Sequence, residues 1–196
     1  MYEKKMGAWQ AYKLYWKNAF NYKGRARRAE YWWPNLFNYI ISLLLQLLMY
    51  IVGGVLVAVV GNSANGDVAF IPIILLYILI LLFGLATFFP SLSVQVRRLH
   101  DRGYSGWIYL GIIIASILIL VVTFVGVSVS MGSSEQFTSV QGIILFIGFV
   151  LVFIANLWLF IQNVSDSKPE ANKWGPNPKK VDQQHINTQE QSIYQY

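Results

Sequence analysis

The chain contains no cysteine. Disulfides, thiolate zinc sites and iron–sulfur clusters are therefore excluded, and cysteine usage says nothing about redox compartment. Histidine is nearly missing too, with only His100 and His185, and a metal site normally takes three or four protein ligands, so no metal and no cofactor is expected. Charge is scarce: 12% of the 196 residues are charged and 56% are hydrophobic, against about 25% charged in an ordinary soluble domain. A soluble fold of this length has no means of covering so much apolar surface, which makes lipid the solvent for most of the chain. Acidic residues are the scarcest charge, nine against fifteen Lys and Arg, for a net charge of +6. Because that positive charge clusters beside apolar runs, it points to anionic lipid headgroups and to membrane topology, not to nucleic acid.

Four apolar runs are present: Asn35 to Val60, Phe70 to Phe89, Trp107 to Val127 and Val140 to Phe160. Each reaches the roughly 20 residues that a helix needs to cross hydrocarbon. The expected fold is all-α, an integral membrane four-helix transmembrane bundle with an N-terminal interfacial amphipathic helix. No Asp, Glu, Lys, Arg or His lies inside any run, which argues against a proton-driven transporter, since proton relays use ionisable groups near the midplane. Eight of the fifteen Lys and Arg fall in Met1 to Tyr31, three in Val96 to Gly106 and four in the tail. The segments Gly61 to Ala69 and Ser130 to Ser139 carry one charge each, Asp67 and Glu135. The positive-inside rule then places both termini and the middle loop in the cytoplasm, and an even number of spans requires the termini to share a side.

The expected organisation is a basic segment over 1–31, the spans over 32–164, a turn motif over 165–180 and a disordered tail over 181–196. In the first segment Trp9, Tyr12, Trp16, Ala19 and Phe20 recur at spacings of three and four, an aromatic stripe suited to a helix lying on the membrane. A cleaved leader is not expected, because the first apolar run starts after more than thirty residues and exceeds an h-region of about 7 to 15. Pro34 is placed in the first turn of the first spanning helix. Within that span Asn35, Asn38, Ser42 and Gln46 share one face and read as interhelical hydrogen-bonding groups. Gly54 with Ala58 and Gly111 with Ala115 form small-xxx-small pairs that allow close helix approach. After the last span, Asn, Gly and Pro between Pro169 and Pro178 impose turns, and the Gln-rich residues beyond Lys180 offer little to bury.

Three motifs stand at the ends of spans. They are Gly24-Arg25-Ala26-Arg27-Arg28-Ala29-Glu30-Tyr31-Trp32-Trp33, then Arg97-Arg98-Leu99-His100-Asp101-Arg102-Gly103-Tyr104-Ser105-Gly106-Trp107, then Asn172-Lys173-Trp174-Gly175-Pro176-Asn177-Pro178. Their order and content resemble the bacterial inner-membrane family called domain of unknown function 805, the YhaH-like proteins. The resemblance covers about Trp16 to Pro178, with Trp174 where Tyr or Phe is more usual. It implies an integral protein of the bacterial cytoplasmic (inner) membrane and implies no activity.

All three motifs are expected on the cytoplasmic side, where folding brings them into one patch. Arg25, Arg27, Arg28, Arg97, Arg98 and Arg102 offer planar forks suited to phosphate, with Glu30 and Asp101 orienting them and His100 adding a donor. The ligand would be an anionic lipid headgroup or a phosphorylated metabolite. The same arginines equally suit a clamp, pairing with Glu30 and Asp101 to hold helices together. Trp32, Trp33, Trp107 and Trp174 are the expected interface anchors. A second class of function is an adaptor docking a membrane protein partner through the basic face and tail. A lipid-modifying enzyme using His100 with Ser105 has the least support, because two residues so near in sequence seldom make a catalytic geometry, and no catalytic residue is assigned. The topology is testable by labelling single cysteines introduced into the cysteine-free chain: one at Ser105 should react only from the cytoplasmic side, one within Gly61 to Ala69 only from the opposite side, and the reverse pattern would overturn the arrangement.

Overall fold

The computed structural model describes residues 6–60, 70–133 and 139–181, with single positions at 184, 188 and 191. Asp67, Glu135, His185 and most of the tail expected to be disordered lie outside the described residues. Every regular element among the described residues is a helix: α1 (Ala8–Lys17), α2 (Arg28–Val60), α3 (Phe70–Asp101), α4 (Trp107–Ser133) and α5 (Ser139–Val164). The last four are each long and apolar enough to cross a membrane, so the all-α membrane class and the four spans both hold. The chain divides into two compact units, Met1–Tyr22 with Ala29–Val94 and Lys23–Arg28 with Gln95–Tyr196.

In the first unit α1 docks through a face that the aromatic spacing did not single out. Its fully covered residues are Ala11 and Tyr15, joined by Ala19 just beyond the helix, whereas Trp9, Trp16 and Phe20 remain 63%, 38% and 72% exposed. The stripe is therefore split, with Tyr12 packed edge-on against Phe37 of α2 at 5.2 Å and the other large rings turned outward beside Lys13 and Lys17. Tyr15 is the anchor. Its hydroxyl donates to the Thr87 carbonyl at 3.0 Å and accepts from Asn38 Nδ2 at 3.0 Å. With its one proton committed to Thr87, it also accepts from Ser91 Oγ at 2.8 Å. Burial pushes the Tyr15 hydroxyl pKa up, against the hydrogen bonds from Ser91 and Asn38. Of the polar stripe on α2, Asn38 thus bonds to α1, and Asn35 turns back to the Tyr31 carbonyl of its own helix at 2.7 Å.

The same contact explains a boundary that the sequence misplaced. The second span was expected to end at Phe89, yet α3 continues through Pro90 to Asp101. Proline removes one helical hydrogen bond, and in membrane helices neighbouring side chains re-satisfy the disturbed turn. Here Tyr15 supplies that service at Thr87, three residues before Pro90, and the Ser93 hydroxyl, its one proton shared between the Asn18 and Asn21 carbonyls at 2.6 and 2.7 Å, ties the next turn of α3 to the residues after α1. Pro34 likewise falls in the second turn of α2, not the first, because that helix starts at Arg28.

In the second unit α4 packs on α5. A Cβ added at Gly148 would stand 2.5 Å from Thr123 Oγ1 and 3.3 Å from its Cγ2, so the glycine is what lets these helices meet. Thr123 meanwhile satisfies its hydroxyl on the Ile119 carbonyl at 2.6 Å. Neither Gly54 nor Gly111 has anything within 4 Å of an added Cβ, so within its own unit neither glycine marks a close helix approach among the described residues. Gly148→Ala should cost about 1 to 3 kcal/mol by overpacking, read by thermal unfolding in detergent. Adding Thr123→Ala should restore most of the loss; equal destabilisation with or without that second change would show that the two residues do not oppose each other.

Candidate functional site

The charged residues of the second unit gather where α3 and α5 end. Val96 to Trp107 was expected to be a loop, but Gln95 to Asp101 forms the last turns of α3. Gly103 ends the helix, at φ +86°, where a side chain would be strained. The Tyr104 N–H reaches back to the Leu99 carbonyl and the Gly103 N–H to the His100 carbonyl, at 2.9 and 3.0 Å, the paired bonds of a Schellman stop. Only Arg102 to Gly106 is turn.

This extension points Asp101 and Arg98 inward, both without exposed surface. The Asp101 carboxylate is shared: Arg25 Nε donates to Oδ1 at 2.9 Å and Arg98 Nη1 to Oδ2 at 2.5 Å. Two cations and one anion leave the triad at +1, and its remaining donors go to main-chain carbonyls, except Arg98 Nε, which is buried with no partner among the described residues. Arg25 reaches Lys168 O at 2.6 Å and Glu170 O at 2.8 Å, with longer contacts of 3.4 Å to Gly175 O and Asp101 O. Arg98 reaches Ser165 O, Asn163 O at 3.3 Å and Ala26 O at 3.4 Å.

Other arginines do the same further out. Arg28 contacts Val164 O at 3.4 Å, Arg102 contacts Asp166 O, and Arg27 contacts Pro178 O. Carbonyls 163 to 166 at the end of α5 thus all face a guanidinium. They carry the negative end of the helix dipole and lack helical partners of their own, so cations are the favoured complement. Beneath them Gln95 and Asn163 exchange a reciprocal amide pair at 3.1 Å in each direction, linking α3 to α5.

Residues 168–178 form a strap over this cluster. Asn172 and Gly175 exchange backbone hydrogen bonds across a tight turn, Asn177 Nδ2 closes back on Lys168 O at 3.1 Å, and Asn172 Nδ2 holds the His100 carbonyl at 2.8 Å. The His100 ring stacks on Trp174, centroids 4.4 Å apart and 10° from parallel. Its Nδ1 lies 3.2 Å from Gly24 O, an acceptor only, so Nδ1 carries the proton. On the outside Asp166 pairs with Arg28 at 3.2 Å and Lys179 at 3.1 Å. Burial raises the Asp166 carboxyl, but Lys179, the Ser167 N–H and Arg28 together outweigh it and hold the group below its ordinary value.

The expected site residues therefore separate. Arg25, Arg98, His100 and Asp101 are joined in one buried network, and the Arg97 side chain is buried beside it, its carbonyl accepting from the Ala26 N–H at 3.1 Å. Arg28 stays 45% exposed and Arg102 partly exposed. Glu30, in the first turn of α2, is buried and belongs to the first unit. Trp32, Trp33 and Trp107 are outward, at 38%, 39% and 77% exposure, whereas Trp174 is taken up by His100 and by Lys173, whose Nζ stands 4.4 Å from its ring. Ser105 Oγ lies 3.4 Å from the Trp107 N–H at the start of α4. Sequence reading did not single out Asp166, Asn163, Gln95 or the carbonyls; Gln162-Asn163 closing an apolar run was the one available signal.

A family model described as Protein of unknown function (DUF805) matches residues 19–176. Inner membrane protein YhaH of Escherichia coli strain K12 is 36% identical over 163 residues, covering 83% of this chain and 91% of that protein. Inner membrane protein YhaI of the same strain is 34% identical over 90 residues, covering 46% of this chain and 59% of that protein. No solved structure matches.

Two outcomes follow from the geometry. Asp101→Asn strips the buried guanidiniums of their counter-charge and should cost about 3 to 5 kcal/mol in unfolding experiments in detergent; a loss under about 1 kcal/mol would mean the carbonyls suffice. Because the folded pKa of Asp166 is depressed, its stabilising contribution is complete above the ordinary carboxylate value of about 4 and is lost as pH falls through the lower folded value. Asp166→Asn should therefore flatten the acid limb of melting temperature against pH, leaving the curve above pH about 5 unchanged in shape.

Proposed function

The chain belongs to the family described as Protein of unknown function (DUF805), and for this member we propose an inner-membrane protein that binds an anionic phosphate-bearing group at its charged, cytoplasm-facing end. The cytoplasmic orientation rests on the charge asymmetry, eight, three and four basic residues on one side against none in the two connecting segments on the other.

The observation that carries the binding reading is the convergence on Asp166. This carboxylate is 57% exposed and gathers the Arg28 guanidinium, the Lys179 ammonium and, through its carbonyl, Arg102. Three cations around one exposed monoanion leave excess positive charge beside the end of α5. A phosphate oxygen offers the same acceptor geometry with more charge, and Arg forks favour it. The ligand site is thus assigned to Arg28, Arg102 and Lys179, while Arg25, Arg98 and Asp101 hold the scaffold on which those three stand. A lipid headgroup would reach them from the membrane boundary and a phosphorylated metabolite from the aqueous side.

The test is native mass spectrometry of the intact protein from mild detergent. Phosphatidylglycerol should be retained over phosphatidylcholine, the retention should weaken with salt, and Arg28→Gln, Arg102→Gln and Lys179→Gln together should lower it about tenfold without unfolding the protein. Displacement by inorganic phosphate at equal charge would point to a soluble ligand. Unchanged lipid occupancy in the triple variant would overturn the site, and a stoichiometric protein subunit in its place would favour the docking role.

A further inference from the structure

Asp101 and Asp166 both pair with arginine in the second unit, and they are held differently. Asp101 is fully enclosed, whereas the Asp166 side chain keeps 57% of its surface exposed. A carboxylate so open to water can leave its cations without stranding a buried charge. Its backbone, by contrast, is fixed. Arg98 holds the Ser165 carbonyl, Arg102 holds the Asp166 carbonyl, and the Ser165 N–H bonds to Ile161 O at 3.0 Å. Rotation of one side chain therefore empties the position in front of Arg28 and Lys179 while the chain stays in place. Arg28, Arg102, Asp166 and Lys179 all belong to the second unit.

Three donors meet the Asp166 carboxylate. Oδ2 faces Arg28 Nη2 at 3.2 Å, and Oδ1 accepts from Lys179 Nζ at 3.1 Å and from the Ser167 N–H at 2.9 Å. Two oxygens thus serve three donors, and with Arg102 the cations exceed the anion by two charges. A group that completes this set has three terminal oxygens and two negative charges. A phosphomonoester has three such oxygens and a charge of about −1.5 to −2 at neutral pH. A phosphodiester has two free oxygens and one charge, no more than Asp166 already supplies. Although burial raises it, the Asp166 carboxyl stays depressed through Lys179, the Ser167 N–H and Arg28, so it is ionised at neutral pH. It is then a tethered competitor at high effective concentration, and an incoming anion also gives up translational and rotational freedom. Overcoming both takes more charge than the carboxylate being replaced.

We infer, on the anion-site reading above, that Asp166 is an internal stand-in for the ligand and sets its class: the site of Arg28, Arg102 and Lys179 takes a phosphomonoester, which binds by exchange for the Asp166 carboxylate. On exchange the Ser167 N–H passes to a phosphate oxygen together with Arg28 and Lys179, and the released carboxylate turns to water.

Phosphatidic acid, a monoester, should be held several-fold more tightly than phosphatidylglycerol, a diester, by the intact protein in mild detergent at neutral pH. Asp166→Asn should raise the affinity for both lipids several-fold, because the competitor has lost its charge. Asp166→Ser should do the same, which ties the gain to the lost carboxylate and not to the new amide, and melting temperature reports that each variant is folded. Excess glycerol 3-phosphate should displace phosphatidic acid when the natural source is aqueous and leave it bound when the source is lipid; either result supports a phosphomonoester. Equal retention of the two lipids by the parent chain, or unchanged or weaker binding in both Asp166 variants, would overturn the inference. Arg28→Gln, Arg102→Gln and Lys179→Gln together separate the two levels: lowered retention in that variant leaves the anion site standing when the Asp166 variants fail, and parental retention removes site and stand-in together.

Discussion

Asp101 has no exposed surface and answers two guanidiniums, and the charged end of the second unit is arranged to make that tolerable. Moving a carboxylate and two cations out of water costs several kcal/mol per ion, which Coulomb attraction recovers only when the remaining donors are also satisfied. The solution is a supply of carbonyls. Ala26, Asn163, Ser165, Lys168 and Glu170 come from three separate stretches of chain, so bonding the two arginines, all but Arg98 Nε, and fixing those stretches are the same event. The reciprocal pair of Gln95 and Asn163 then marks the transition to apolar packing.

The arrangement also resolves a difficulty general to membrane helices. A helix that ends near the boundary presents unpartnered carbonyls where water is thin. α5 ends with each of carbonyls 163 to 166 facing Arg98, Arg28 or Arg102, which answers hydrogen bonding and dipole together. Basic residues at span ends are usually read as orientation signals. Here they terminate a helix, and an orientation signal would call on the same residues in the same place.

How much of this was legible follows from what each signal measures. Apolar length marks lipid-crossing segments whatever they pack against, so four spans could be read directly. Helix ends could not, since Pro90 reads as a break until the Tyr15 hydroxyl beside it is known, and Gly103 signals a stop only once α3 is seen to run that far. The aromatic spacing in α1 identified an amphipathic helix but not its docked face, because Tyr15 owes its burial to Ser91 and Asn38, more than twenty residues away. Charge pattern brought Arg25, Arg98 and Asp101 under one hypothesis and left ligand fork and internal clamp equally open. For these three the clamp geometry rests on the position of backbone carbonyls, and every residue has one, so composition carries no trace of them.

The strap meets Arg25 only through its main chain, at the carbonyls of residues 168 and 170 and, at longer range, 175. Such a grip does not depend on which side chains those residues carry. Lys168 and Glu170 are both exposed; the Lys168 ammonium lies over the Tyr104 ring at 5.8 Å, whereas the identity of Glu170 is decoupled from the grip on its carbonyl. The strap thus combines a side-chain lock at Asn172, Trp174 and Asn177 with a main-chain grip at position 170, where charge, size or polarity can be redrawn while the trace of the chain stays pinned.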